Sequence, residues 1–157
     1  MDALLFDQLA GQGRALLTAG DHAGAGDRFS RALALWRGPA FAGEVVPEPM
    51  QPDIAVLEMK RQDVLEDAIE ARLALGEHRE LACELTVLVA QWPLRERLAG
   101  QLMLALCRGG RRIEALSAYH ELRRQLAEEL GVVPSAEIQQ LYHRVLEADR
   151  ATTSLAG

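Results

Sequence analysis

Lysine is almost missing from this 157-residue sequence: Lys60 stands alone against sixteen arginines. Positive charge is scarce altogether, with 17 basic and 23 acidic side chains and a net charge of −6, so neither half of the chain is a basic arm and direct nucleic-acid binding is disfavoured. Cysteine is limited to Cys83 and Cys107, which form no C-x-x-C motif. That excludes a disulfide or zinc framework and reads as two reduced core thiols in a cytoplasmic protein. Long apolar runs are also lacking: the longest uncharged ones, 85–94 and 98–107, hold ten residues each, half of a membrane span. The first twenty residues carry Asp2, Asp7 and Arg14 and no apolar export signal. Val, Ile and Thr together number only 17, which argues against a sheet-based fold. What the sequence has in quantity is alanine and leucine, 51 residues between them, both strong helix formers.

Apolar residues recur at helical spacing, with Gly or Pro between the runs. The spacing predicts seven helices, over about 2–19, 23–36, 53–75, 78–92, 93–108, 111–130 and 135–148. Asp53 is the expected N-cap of the third, Pro93 the expected opening of the fifth, and Ser135 the expected start of the last. Four of the six prolines fall within 37–52, which reads as an extended surface loop. One domain over 1–149 followed by a flexible tail over 150–157 is expected.

An internal repeat is visible in the glycines. Gly76 and Gly110 are 34 residues apart, the period of a tetratricopeptide hairpin, and Gly20 precedes Gly76 by 56, the same period enlarged by the proline-rich loop. Counting from each glycine, the fifth residue is Ala25, Leu81 or Ala115, the ninth Phe29, Leu85 or Tyr119, and the twelfth Ala32, Leu88 or Leu122. Those are the positions at which the second helix of each hairpin packs on the first, and Gly13 matches the small site on the first helix. Trp36 and Trp92 each lie sixteen residues past a repeat glycine, which points to packing between repeats. The expected fold is all-α, a tetratricopeptide-like α-solenoid of three helical hairpins closed by a C-terminal capping helix.

Several segments together carry a more specific resemblance: Leu33-Ala34-Leu35-Trp36-Arg37-Gly38-Pro39-Ala40, Leu94-Arg95-Glu96-Arg97-Leu98, Gln101 to Leu106, Gly110-Arg111, Glu114-Ala115-Leu116, Tyr119, Leu122-Arg123 and Glu129-Leu130-Gly131 with Pro134. In this order they resemble the bacterial transcriptional activation domain of the Streptomyces antibiotic regulatory proteins and their mycobacterial relatives, over about residues 2–148. The resemblance implies a role in regulating transcription, often of secondary metabolism. It also implies a winged-helix DNA-binding domain ahead of the first helix, which this sequence lacks, so DNA binding does not carry over. What carries over is protein contact: with an RNA polymerase subunit, with a winged-helix DNA-binding domain, or with a second protomer. The alternative from another class is a helical-repeat domain that senses a small effector and thereby controls assembly.

No chemistry-bearing motif competes with that reading. Lys60 follows Met59 inside a helix, so there is no phosphate-binding P-loop, and no Gly-x-Ser-x-Gly elbow exists. The four histidines are scattered, and His143 with Glu147 lacks a third ligand. No catalytic residue, metal or cofactor is expected. The informative feature is the acidic stripe Asp63, Glu66, Asp67 and Glu70 on one face of the third helix. In tetratricopeptide geometry the first helix of each hairpin lines the groove, which places Asp63, Glu66 and Glu70 there. Equivalent counts from Gly20 and Gly110 give Asp7, Arg14 and Leu17, then Arg97, Leu104 and Cys107. The expectation is a groove with an acidic centre and basic flanks at Arg14 and Arg97, suited to a basic helix or tail. Phe41, Val45, Val46 and Met50 in the proline-rich loop form a second candidate contact.

Overall fold

A computed structural model describes residues 2–37 and 51–156, and the side chains of 54–148 within the second stretch. Among these residues there are seven α-helices and no strand: α1 (Ala3–Thr18), α2 (His22–Ala34), α3 (Gln51–Ala74), α4 (His78–Gln91), α5 (Glu96–Arg108), α6 (Arg112–Leu130) and α7 (Ala136–Ala156). A single 3-10 turn, Leu35–Arg37, extends α2. The chain divides into two compact units, Met1–Gly76 and Glu77–Gly157.

Helix ends follow local chemistry. The Asp2 carboxylate accepts from the Leu5 amide at 3.0 Å and Asp21 from the Gly24 amide at 2.9 Å, capping α1 and α2. Gly20, Gly76 and Gly110 all have φ near +80°, a left-handed conformation open to glycine and costly for other residues. The repeat glycines are therefore equivalent turns. In two of them the next amide reaches back into the helix, Asp21 N to Leu16 O at 2.9 Å and Arg111 N to Leu106 O at 2.8 Å.

The first unit packs α1 against α2 and α2 against α3. Its core holds Phe6, Leu9, Ala10, Ala25, Phe29, Ala32, Val64, Ala68 and Ala71. In the second unit α5 packs between α4 and α6, and α7 lies on α5 and α6. Leu81, Leu85, Leu98, Leu102, Met103, Tyr119, Leu122, Ile138 and Leu141 are buried there. Of the nine repeat positions counted from the glycines, eight are buried and Leu88 is half-buried.

Four expectations need correction. Helix α3 begins at Gln51, ahead of Asp53, because Pro52 in a first turn forfeits no hydrogen bond. Pro93 lies outside α5: Trp92 to Arg95 form a turn, with the Arg95 amide on the Trp92 carbonyl at 3.2 Å, and the helix starts at Glu96. Cys83 is exposed and Cys107 intermediate, since Leu81, Ala82 and Leu85 form the buried face of α4 and residue 83 points elsewhere. Helix α7, expected to end near residue 148, continues to Ala156, a stretch without Gly or Pro to stop it. The proline-rich segment up to Met50, with Phe41, Val45 and Val46, lies outside the described residues apart from Arg37. Both tryptophans are half-buried; Trp36 meets Phe6 edge-on at 6.1 Å, with the Arg61 guanidinium 5.4 Å from its ring centre.

Candidate functional site

In the first unit, two ion pairs join α1 to α3. Lys60 Nζ meets the Asp7 carboxylate at 3.2 Å and Arg14 Nε meets Asp67 Oδ2 at 2.9 Å. Both pairs span 53 residues, so α1 and α3 run side by side in one direction with two helical turns between the pairs. Two of the three expected groove helices, α1 and α3, are thus adjacent, and the ion pairs between them take up charges expected to line the groove. Arg14 is engaged by Asp67 rather than standing as a free basic flank. Glu66 is 2 % exposed, while Asp63 and Glu70 are exposed. The burial of Glu66 follows from the phase of α3. Val64, Ala68 and Ala71 form one buried face, and Ile69 and Leu73 a second on the opposite side, where residue 66 also falls.

Arg97, the other expected flank, belongs to the second unit. It lies with Leu104 on a groove of about 360 Å³ between α5 and α7. Gly100, Leu104, Ile138 and Leu141 make the apolar floor, and Arg97, Glu137 and Arg144 stand exposed on the rim. The helices start together: Glu96 Oε1 accepts the Ser135 amide at 2.6 Å, tying the first turn of α5 to the cap of α7. They also approach closely, for a Cβ on Gly100 would lie 2.8 Å from Ile138 Cδ1. On the α6 side, Tyr142 stacks on Tyr119 with ring centres 4.0 Å apart. Sequence reasoning placed Arg97 and Leu104 on a groove but missed Arg144 and the contribution of α7. The available signal was the spacing of Ile138, Leu141 and Val145, an apolar helix face.

A second concavity of the same unit, about 410 Å³, is bounded by α4, α5 and α6 and lined mainly by Val89, Ala90, Pro93, Leu102, Ala118 and Leu122. Glu121 on its edge is hydrogen-bonded to Arg124, which also reaches Glu128 at 2.7 Å. The guanidinium holds the Glu121 carboxyl below its ordinary range, and the two carboxylates raise Arg124 further. Among the described residues no cluster of three His, Cys, Asp or Glu side chains is placed to hold a metal ion, and no helix is long and apolar enough to cross a membrane.

Comparison with known proteins gives a consistent set of matches. The family model described as "Bacterial transcriptional activator domain" matches residues 1–146. The chain is 42 % identical over 148 residues to the regulatory protein DnrI of Streptomyces peucetius, covering 94 % of this chain and 54 % of DnrI. It is 42 % identical over 157 residues to the regulatory protein AfsR of Streptomyces coelicolor, covering all of this chain and 16 % of AfsR. The chain thus spans about half the length of DnrI and a small part of AfsR. A solved structure of Mycobacterium tuberculosis EmbR, described as in complex with a low affinity phosphopeptide, superposes with a TM-score of 0.85 at 28 % identity, over 98 % of this chain and 42 % of that one. The helices share its tetratricopeptide-like fold.

Proposed function

This chain belongs to the bacterial transcriptional activator domain family, and from that membership we propose that it works as a non-enzymatic protein-interaction module of a transcription regulator. The observation that carries this reading is the family match along nearly the whole chain, from residue 1 to 146. In this reading DNA is reached through a winged-helix domain, and the helical repeats contact that domain, a second protomer or an RNA polymerase subunit in the cytoplasm. The exposed acids of α3, Asp63 and Glu70, are the proposed contacts for a basic segment of such a partner, and Arg97 on α5 is a separate proposed contact; Glu66 and Arg14 act as structural members of the unit. Phe41, Val45, Val46 and Met50 remain proposed loop contacts.

The test is co-purification of the tagged chain with purified RNA polymerase and, separately, with a winged-helix domain of the family. Retention of either supports the proposal, and substituting Asp63 and Glu70 by Lys is expected to weaken it with the helical content unchanged. Retention of neither, together with a stabilisation by a small metabolite, overturns it in favour of effector sensing. Ligand at a hundred times its dissociation constant adds about 2.7 kcal/mol of stability, readily seen in a melt.

A further inference from the structure

Tyr142 of α7 is the centre of a cluster of rings that joins α6 to α7. It stacks on Tyr119 at 4.0 Å, and His120, also from α6, meets it edge-on at 5.4 Å with Nε2 3.5 Å from the Tyr142 hydroxyl. His143 touches the same ring, 5.6 Å between centres. Tyr119 is buried, Tyr142 half-buried, and both histidines are exposed. A short connection, 131–135, sets the two helices side by side in opposite directions.

The charge gathered around this cluster is mainly positive. Arg123 is one helical turn from both Tyr119 and His120, which places it on the α7 side of α6. It is exposed, and among the described residues no ion pair or hydrogen bond engages it. The other neighbours of His120 one turn away are Leu116, Ser117 and Arg124, and those of His143 are Gln139, Gln140, Leu146 and Glu147. Arg124 is taken up by Glu121 and Glu128. These two acids belong to another side of α6: Glu121 lines the concavity bounded by α4 and α5, and Glu128, seven residues on, shares its face. Glu147 is exposed but distant. It lies five residues past Tyr142, whereas Arg123 lies four past Tyr119 in the opposite direction, so roughly 13 Å of helix axis separates them.

On a chain of net charge −6 this is a place where positive charge is locally uncompensated, and tyrosine and arginine are the side chains that most often anchor protein interfaces. We propose that the α6–α7 face formed by His120, Arg123, Tyr142 and His143 docks an acidic segment of a partner protein, a short run of glutamate or aspartate side chains. Carboxylates meet the Arg123 guanidinium and the two imidazoles, and the ring of Tyr142 packs against the stems that carry them. Histidine gains its proton over about pH 5 to 8 while glutamate stays ionised, so the face becomes more positive, and the docking tighter, as pH falls toward about 6. This surface is distinct from the acids of α3 and takes a partner of opposite charge. It stands whether or not polymerase or a winged-helix domain is retained by the chain.

The test uses the full 157-residue chain and a rhodamine-labelled peptide with blocked ends, Gly-Ser-Glu-Glu-Phe-Glu-Glu-Ser-Gly, read by anisotropy in low salt. Saturable binding is expected, weakened about tenfold by Arg123→Gln, the size of one charge-assisted hydrogen bond. Affinity is expected to rise at least about threefold between roughly pH 8 and pH 6, and the double variant His120→Gln, His143→Gln to lose that rise. Arg79→Gln, an exposed position on α4, leaves binding unchanged. A peptide with Gln in place of every Glu is expected to bind at least about tenfold more weakly. Circular dichroism melts check the fold of each variant: Arg123→Gln that melts like the parent and binds the acidic peptide unchanged overturns the proposal. So does equal binding of the Glu and Gln peptides, equal affinity at the two pH values, or no binding at millimolar peptide. A random DNA duplex that binds with the same dependence on Arg123 also overturns it, by making the face a phosphate site.

Discussion

Gly13 has no Cβ because Phe29 fills the place where one would go: a methyl there would lie 2.4 Å from the ring. Two residues earlier on the same helix, a Cβ on Gly11 would meet nothing within 4 Å. The pair makes a clean contrast. Gly13→Ala is expected to destabilise the chain by about 1–3 kcal/mol through overpacking. Gly11→Ala is expected to stabilise it by about 0.5–1 kcal/mol by removing glycine's excess freedom in the unfolded chain. Urea melts of the two variants decide, and equal effects would contradict the packing of α1 on α2. At this scale much was legible, because spacing from the repeat glycines identified Gly13 and the buried Ala25, Phe29, Leu85 and Ala115 without a structure. Glu66 was not legible. A run of carboxylates on one helix face looks solvated, and only the second buried face of α3 puts residue 66 inside.

Between elements, the same charges that looked like a binding surface act as connectors. Arg14 is half exposed and Asp67 is 13 % exposed, so their pair lies between the solvated and buried limits. A double-mutant cycle of Arg14→Met and Asp67→Asn is expected to give a coupling of about 0.5–1 kcal/mol, and a coupling of zero would show that α1 and α3 are aligned by their apolar contacts alone. On α6 the Glu121–Arg124 pair gives a pH dependence instead. Its carboxyl is depressed mainly by the Arg124 hydrogen bond, so its stabilisation is full above the unfolded value of about 4.3 and disappears as pH falls through the lower folded value. The melting temperatures of the parent and Glu121→Gln should therefore differ near neutral pH and converge as the pH falls below the ordinary carboxylate range. Helix boundaries were readable wherever glycine marked them. The start of α5 and the end of α7 were not: Pro93 suits a turn as well as a first helical residue, and nothing local announces an end to α7.

For the molecule as a whole, the arginines are numerous and the field they make is not basic. Locally they are paired: Arg28 and Arg31 with Asp27, Arg61 with Glu58, Arg111 with Glu114, Arg124 with Glu121 and Glu128. Together with a net charge of −6, this pairing argues against a phosphate-binding surface on these helices. The family was legible from ordered short segments because such segments encode turns and packing positions. The groove between α5 and α7 was only half legible, since one of its walls comes from a helix that read as a cap. Duplex DNA of random sequence is accordingly expected to leave the anisotropy of the chain unchanged at about 0.1 M salt, with no trend on dilution of the salt. A steep gain in DNA affinity as salt is lowered would mean that Arg95, Arg97, Arg108 and Arg123 gather into a phosphate-binding face despite the acids interleaved with them, and the contact with DNA would then belong to this chain rather than to a winged-helix partner.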